Sequence, residues 1–313
     1  MLGYLLRRVL AAIPVLLVVA LFVFLLLRLS PGDPAAIIAG DNASPQQLQQ
    51  IRDILGLNQP LHRQFFIWLG GVLRGDFGIS LLSQTPVLTM IGQRLEPTIS
   101  LALVSIVFTA LIAVPLGVLA AWRRGGWIDN LVMSASVVGF SIPVFVIGYV
   151  LIQIFAIELR WLPVQGFRSI TQGVGEFASR IVLPALALST VYIALIARMT
   201  RASVLGVLDE DYIRTARAKG VTEPVVLFHH ALRNAAVPIL TVIGTGFALM
   251  VSGVVVTETV FNIPGLGRLI VDAVLARDYP VIQALILLTA GLYVLINLLI
   301  DISYALTDPR IRY

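Results

Sequence analysis

The chain contains no cysteine and a single lysine. Without cysteine there is no disulfide framework, no thiolate metal site and no thiol nucleophile. The one lysine, Lys219, follows Ala218, so the Gly-Lys-Ser/Thr core of a phosphate-binding loop is missing. Any ATP-driven step must therefore be powered by another polypeptide. Charge is scarce as well: 12% of the 313 residues are charged, against roughly 25% in ordinary soluble domains. A net charge of +5 would suggest an anionic partner for a soluble protein. Here most arginines on one side flank apolar runs and read as topology signals, and nucleic-acid binding is not expected.

What the chain has in abundance is apolar sequence, 58% of its residues. Six runs reach spanning length, about 17 to 25 residues: 9–27, 99–122, 131–157, 181–197, 235–257 and 281–300. The expectation is an all-α polytopic membrane protein with six transmembrane helices. The first run follows Arg7 and Arg8, lacks a small-residue cleavage site and reads as a signal anchor. The segments 1–8, 123–130, 198–234 and 301–313 hold 12 of the 22 basic residues although they form the shorter set. This bias places both termini in the cytoplasm. Segments 28–98, 158–180 and 258–280 then lie outside.

The outer segment 28–98 is too long for a plain connector. Ser44, Pro45 and Gln47 form a capping box with proline at the first helical position, followed by Leu48, Ile51, Ile54 and Leu55 on one face. A second helix is expected from Pro60 to Leu73, with Phe65, Phe66, Leu69 and Val72 apolar. This small cap either touches whatever delivers the substrate or packs on the ends of the spans.

Pro14, Pro115, Pro143, Pro184 and Pro238 fall inside spans, where each removes a backbone hydrogen bond and permits a kink. Ser134, Ser136 and Ser141 in the third run, and Thr241, Thr245 and Ser252 in the fifth, either permit close helix packing or line a wet path. Glu258 stands at the end of an apolar run and must reach water or a partner. It either faces that path or marks the outer end of the span.

The one long polar interruption in the last third is Asp209 to Pro238. Asp209, Glu210 and Asp211 at the start of a short helix, with Arg217 and Lys219 at its end, follow the helix dipole. Gly220 supplies the left-handed stop. Thr222 is placed to cap a second helix, with Glu223 and Pro224 in its first turn, carrying Val225, Val226, Phe228 and His229 before Arg233 and Asn234 lead back to the membrane. Its apolar residues need a cover, and a partner protein is the expected one.

Two other classes of function fit poorly. A nucleophilic enzyme needs a serine beside a histidine, but His62, His229 and His230 all lie outside the runs. Adjacent histidines also point to different faces of a helix and make a poor chelate. An ion-coupled transporter normally keeps acids or bases within its spans, and these runs are nearly free of them.

The stretches SPGDPA (Ser30–Ala35), GDFGIS (Gly75–Ser80), DYIRTARAKG (Asp211–Gly220), HALRNAAVP (His230–Pro238), FNIPGLGRL (Phe261–Leu269), RDYPVIQ (Arg277–Gln283) and the C-terminal DPRIRY occur in an order and spacing that resemble a permease subunit of the ATP-binding-cassette importers of the peptide, nickel and opine class, in its B-type form. The resemblance implies the type I importer permease fold and a place in a bacterial inner membrane. It also implies alternating access in a complex of two homologous permease subunits, two ATPase subunits and an external substrate-binding protein. No cofactor is expected on this chain, with ATP and Mg on the ATPases. In that family a cytoplasmic loop with a glutamate-alanine-alanine motif and a downstream glycine docks the ATPase. Gly220 matches the glycine. Arg214, Thr215 and Ala216 occupy the triplet, so its acid is absent, and Arg233 stands where many relatives have proline. The implied docking surface is Arg214, Thr215, Ala216, Gly220, Thr222, Glu223, Pro224, Val225, Phe228, His229 and Arg233. The cargo implied is a short peptide, with glutathione as the nearest variant and nickel chelates or opines as alternatives.

Overall fold

The structure, a computed structural model, describes residues 2–29, 35, 44–54 and 57–307. SPGDPA apart from Ala35, Leu55 and the terminal DPRIRY lie outside the described residues. Helices α1 (Leu2–Leu29), α2 (Pro45–Ile54) and α3 (Leu61–Leu73) are followed by α4 (Val87–Trp122), α5 (Trp127–Ser141) and α6 (Val144–Leu151), the last continued by a π-helical stretch, Ile152–Glu158. Next come α7 (Val174–Leu208), α8 (Asp211–Ala218) and a first turn, α9 (Glu223–Val225), that passes through a π-helical segment, Val226–Ala231, into α10 (Leu232–Val260). Helices α11 (Leu266–Leu275) and α12 (Tyr279–Thr307) complete the described chain.

Four helical stretches among the described residues are long and apolar enough to cross a membrane: Arg7–Leu26, Val87–Trp122, Val174–Leu208 and Tyr279–Ile302. Counting two bent pairs as spans brings the number to six. At 1.5 Å per residue α4 and α7 are each a little over about 50 Å long, well beyond the ~30 Å hydrocarbon layer. The apolar runs 99–122 and 181–197 are therefore the middle or end of longer rods. The third run is not one straight helix: Trp127–Ser141 and Val144–Glu158 meet at 102°. Pro143 has no N–H to give, and it holds Ile142 extended, at φ −89 and ψ 125.

The chain divides into two compact units. One comprises Arg94–Arg268 with the chain from Leu295 onward. Its largest cluster brings Leu101 of α4, Ile152 and Ala156, Ile181 and Leu188 of α7, Val254 of α10, and Phe261 and Ile263 together. A second cluster joins Ala113 and Ala120 of α4, Val132 of α5 and Ile196 and Ala197 of α7. Helix α7 is thus the central rod, on which α5, α6 and α10 all pack.

The other unit comprises Leu2–Gln93 and Leu269–Val294. The expected capping box at α2 is present, Ser44 N–H donating to Gln47 Oε1 at 2.9 Å and Gln47 N–H to Ser44 Oγ at 3.3 Å. On α3, Phe65 and Trp68 pack against Phe24 of α1 with centroids 5.4 and 5.7 Å apart. The GDFGIS and RDYPVIQ stretches meet here: buried Asp278 accepts from Ser80 Oγ at 2.5 Å and from Leu81 N–H at 3.1 Å.

Candidate functional site

The polar interruption folds as two helices strapped across a tight turn. Glu210, extended at φ −74 and ψ 146, opens α8, and Asp211 stands in its first turn. Ile213 fixes the helix by complete burial. The end of α8 is a Schellman motif: Gly220 N–H bonds to Arg217 C=O at 2.9 Å and Val221 N–H to Ala216 C=O at 3.2 Å. This requires Gly220 at φ +77, a conformation that costs a side-chain-bearing residue roughly 1–2 kcal/mol.

Thr222 occupies the N-cap of the second helix at φ −68 and ψ 145, with Glu223 and Pro224 next. Its hydroxyl makes no capping bond. The link across the turn is instead Arg217, whose Nε donates to Glu223 Oε1 at 2.8 Å and Nη2 to Oε2 at 3.3 Å. The sequence predicts a separate short second helix, and the structure differs. That helix continues into α10 and turns through 64° between Glu223–Asn234 and Ala236–Val251. Pro238 leaves the Asn234 carbonyl without its intrahelical donor, while Asn234 Nδ2 contacts Tyr212 Oη of α8 at 2.9 Å and His230 C=O at 2.8 Å. That side chain ties α8 to the bend.

The two faces of this segment have different surroundings. Leu227 and Ala231 are buried with Val118 and Ala121 of α4, Val204 of α7, and Ala235 and Ile239 of α10. On the outside Tyr212, Val225 and Phe228 remain exposed, Phe228 by 58%. Of the other expected docking residues, Arg214, Thr215, Gly220, Thr222, Pro224, His229 and Arg233 are exposed, while Ala216 and Glu223 are half-buried. Arg214 Nη1 lies 3.4 Å from Asp211, and the Thr215 hydroxyl donates to Asp211 C=O at 3.0 Å. Arrangement and chemistry suit a docking surface: three large apolar side chains among cations, on a segment whose inner face packs against α4 and α7.

The expected path residues do not form one site. Ser136 lines a cavity of about 330 Å³ with Leu116, Ala135, Gly139, Thr190 and Ala194. Its hydroxyl donates to Val132 C=O at 2.7 Å. Ser141 donates to Val137 C=O, Thr241 to Val237 C=O and Thr245 to Thr241 C=O, at 2.8, 2.7 and 3.0 Å. Each hydroxyl thus satisfies itself on its own helix, which is how such residues are tolerated away from water. Ser134 is exposed, and the Ser252 side chain lies outside the described residues.

Glu258 makes contacts of a different kind. It is fully buried, accepting from Thr98 Oγ1 at 2.5 Å and Arg268 N–H at 2.9 Å. The same Thr98 hydroxyl accepts from Leu266 N–H at 2.8 Å. The carboxylate pins the FNIPGLGRL turn to α4. A Cβ on Gly265 would overlap the Glu258 carboxyl group, so glycine there is the counterpart of the acid. The partner 160 positions away is invisible in the run of sequence around Glu258.

Sequence reasoning also missed Asp129 and Arg201. Their side chains form a two-pronged ion pair between the start of α5 and α7, at 2.5 and 2.6 Å, with Asp129 buried. The acid in the first turn of an apolar run was its only signal.

Residues 113–313 match the family described as binding-protein-dependent transport system inner membrane component, and residues 1–102 match its N-terminal component. The chain is 58% identical over 310 residues, 99% of each chain, to the probable peptide ABC transporter permease protein y4tP of Sinorhizobium fredii (strain NBRC 101917 / NGR234). It is 46% identical over 313 residues, the whole of both chains, to the glutathione transport system permease protein GsiC of Escherichia coli (strain K12). Among solved structures, a chain of the inward-facing MetNI methionine ABC transporter superposes with a TM-score of 0.59 at 19% identity, covering 71% of this chain and 97% of its own. At that identity the likeness speaks for the fold, an all-helical permease fold. The chain belongs to the inner-membrane permease components of binding-protein-dependent ABC transport systems.

Proposed function

We propose that this chain is one of two homologous permease subunits of an importer that carries short peptides, glutathione among them, into the cytoplasm by alternating access. The observation that carries the cargo is the 58% identity, over 99% of the chain, to a protein named as a probable peptide permease. The 46% identity to a glutathione permease makes that tripeptide the nearest variant. Two ATPase subunits, with ATP and Mg, drive the cycle, and an external binding protein delivers the cargo. Both chain termini lie in the cytoplasm, on the ATPase side. In this reading Tyr212, Val225 and Phe228 seat in the ATPase, and the strap between Arg217 and Glu223 makes the two helices move as one piece. Because Leu227 and Ala231 pack against α4, α7 and α10, a push on that piece tilts several helices at once. Reconstitution of the assembled complex with its binding protein tests the reading. ATP-dependent uptake of labelled dipeptide or glutathione is expected, and uptake of neither, with nickel chelate or opine transported instead, overturns the cargo.

A further inference from the structure

Asp129 and Arg201 join two helices that the rest of the mechanism treats separately. Arg201 Nε donates to Asp129 Oδ1 at 2.5 Å and Nη2 to Oδ2 at 2.6 Å, while Gly125 N–H also donates to Oδ2, at 2.9 Å. Asp129 is 3% exposed. The pair therefore holds the α4–α5 turn, the first turn of α5 and the last third of α7 in one arrangement. A fork-to-fork pair fixes orientation as well as distance.

What lies on either side of this joint gives it a role beyond fastening. Beyond Arg201, α7 carries Val204 into the cluster with Leu227 and Ala231, and then ends at Leu208, three residues before α8 begins. Displacement of the strapped helices is thus felt at the Arg201 end of α7. On the other side, α5 is a 15-residue rod cut from α6 at Ile142–Pro143, where the helix axis turns by 102°. A rod gripped at one end and broken at the other swings about the break when the grip moves. Arg124, in the same α4–α5 turn, lies 3.5 Å from Asp209 at the entrance of the loop. Both are well exposed, and an exposed pair of this kind contributes little, so the buried pair is the firm link.

We propose that Asp129 and Arg201 are positioning residues for transport: their pair transmits movement of the coupling loop through α7 to α5, swinging α5 about the Ile142–Pro143 break. The proposal rests on the reading of an ATPase-driven importer given above. Neither residue touches cargo or nucleotide, so their loss separates the two activities of the complex rather than abolishing both. With the joint intact, α5 follows α7; without it, the ATPases still close on ATP while α5 lags.

The test measures ATP hydrolysis and peptide uptake on the same proteoliposomes holding the assembled complex. Asp129→Asn keeps an acceptor for Gly125 and loses the charge pair, whereas Arg201→Lys keeps the charge and loses the fork. Coupling between sites is ordinarily worth a factor of about 5 to 150. Asp129→Asn is expected to lower uptake per ATP hydrolysed by about tenfold, and Arg201→Lys by a smaller factor, on the same scale. An unchanged ratio in both variants, whether the two activities hold or fall in step with the amount of complex, shows a purely structural pair and overturns the proposal. If Asp129→Asn fails to assemble, Arg201→Lys decides alone. Absence of ATP-dependent uptake by the parent complex instead sinks the importer reading itself, and that outcome is separately visible.

Discussion

At the scale of single residues, Glu258 and Gly265 behave as one unit. Removing the carboxylate strands the partly buried Arg268 N–H and one bond of the Thr98 hydroxyl. Leaving a buried donor unsatisfied costs about 1–3 kcal/mol. Glu258→Ala should therefore lower the thermal midpoint of the purified chain and its level in the membrane. Gly265→Ala should be at least as harmful, because its methyl group would occupy the position of the carboxyl oxygens. If that overlap is the cause, the double variant Glu258→Ala with Gly265→Ala should be less damaged than the sum of the singles, a non-additivity characteristic of residues in contact. Strict additivity would remove the pairing as the reason for glycine at 265. The companion glycine at 267 also faces Glu258.

At the scale of elements, the Gly220 turn decides whether the two loop helices keep their angle. Gly220→Val places a β-branched side chain at φ +77, whereas Gly220→Asn places there a residue that tolerates the left-handed region. Normal insertion with loss of ATP-stimulated uptake is expected for valine, and largely retained uptake for asparagine. Equal uptake in the two variants would detach the turn from coupling. Leu227→Ala tests the inner face. Truncating a fully packed leucine typically costs about 2–5 kcal/mol, and here the lost contacts are those to α4, α7 and α10. ATP hydrolysis stimulated by cargo should fall while ATPase co-purification persists, since Leu227 is buried and away from the docking face. Loss of co-purification would place Leu227 in the interface instead.

The same loop shows what the sequence could and could not reveal. Local chemistry was legible: Gly220 as a left-handed stop, Glu223 and Pro224 in a first turn, and Ser44 with Gln47 as a capping box all depend on residues within a few positions. Thr222 had the right position but not the bond, because Arg217 engages Glu223 and fixes the turn by other means. The continuity of the second helix with α10 was not legible, since a π-helical segment at Val226–Ala231 has no compositional signature. The 102° break after Ser141 was signalled by Pro143 as a kink but not in its extent. The pairs Asp129–Arg201, Glu258–Thr98 and Ser80–Asp278 span 72, 160 and 198 positions. Periodicity and composition carry no information about contacts at that range.

At the scale of the whole molecule, the proposed importer has its energy source on partner subunits. The chain's only lysine follows alanine, so no nucleotide loop of the Gly-Lys-Ser/Thr kind is encoded. Ion coupling would ordinarily place titratable groups along the spans. Of the four buried acids among the described residues, three are engaged in the contacts given above, Asp129 with Arg201, Glu258 in the α10–α11 turn and Asp278 with Ser80, and the fourth, Asp301, stands near the end of α12. Vesicles containing this chain alone, supplied with ATP inside or with an imposed proton or sodium gradient, should accumulate no labelled peptide. Addition of the second permease subunit should not change that. Addition of the ATPases and the binding protein should produce uptake that stops when ATP hydrolysis is blocked. Phe228→Asp, which sets a charge on the exposed face of the loop, should abolish uptake in the complete mixture while leaving the chain in the membrane, with the ATPase no longer co-purifying. Gradient-driven uptake by the chain alone would show that the power source lies within these helices, and the coupling loop would then need another role.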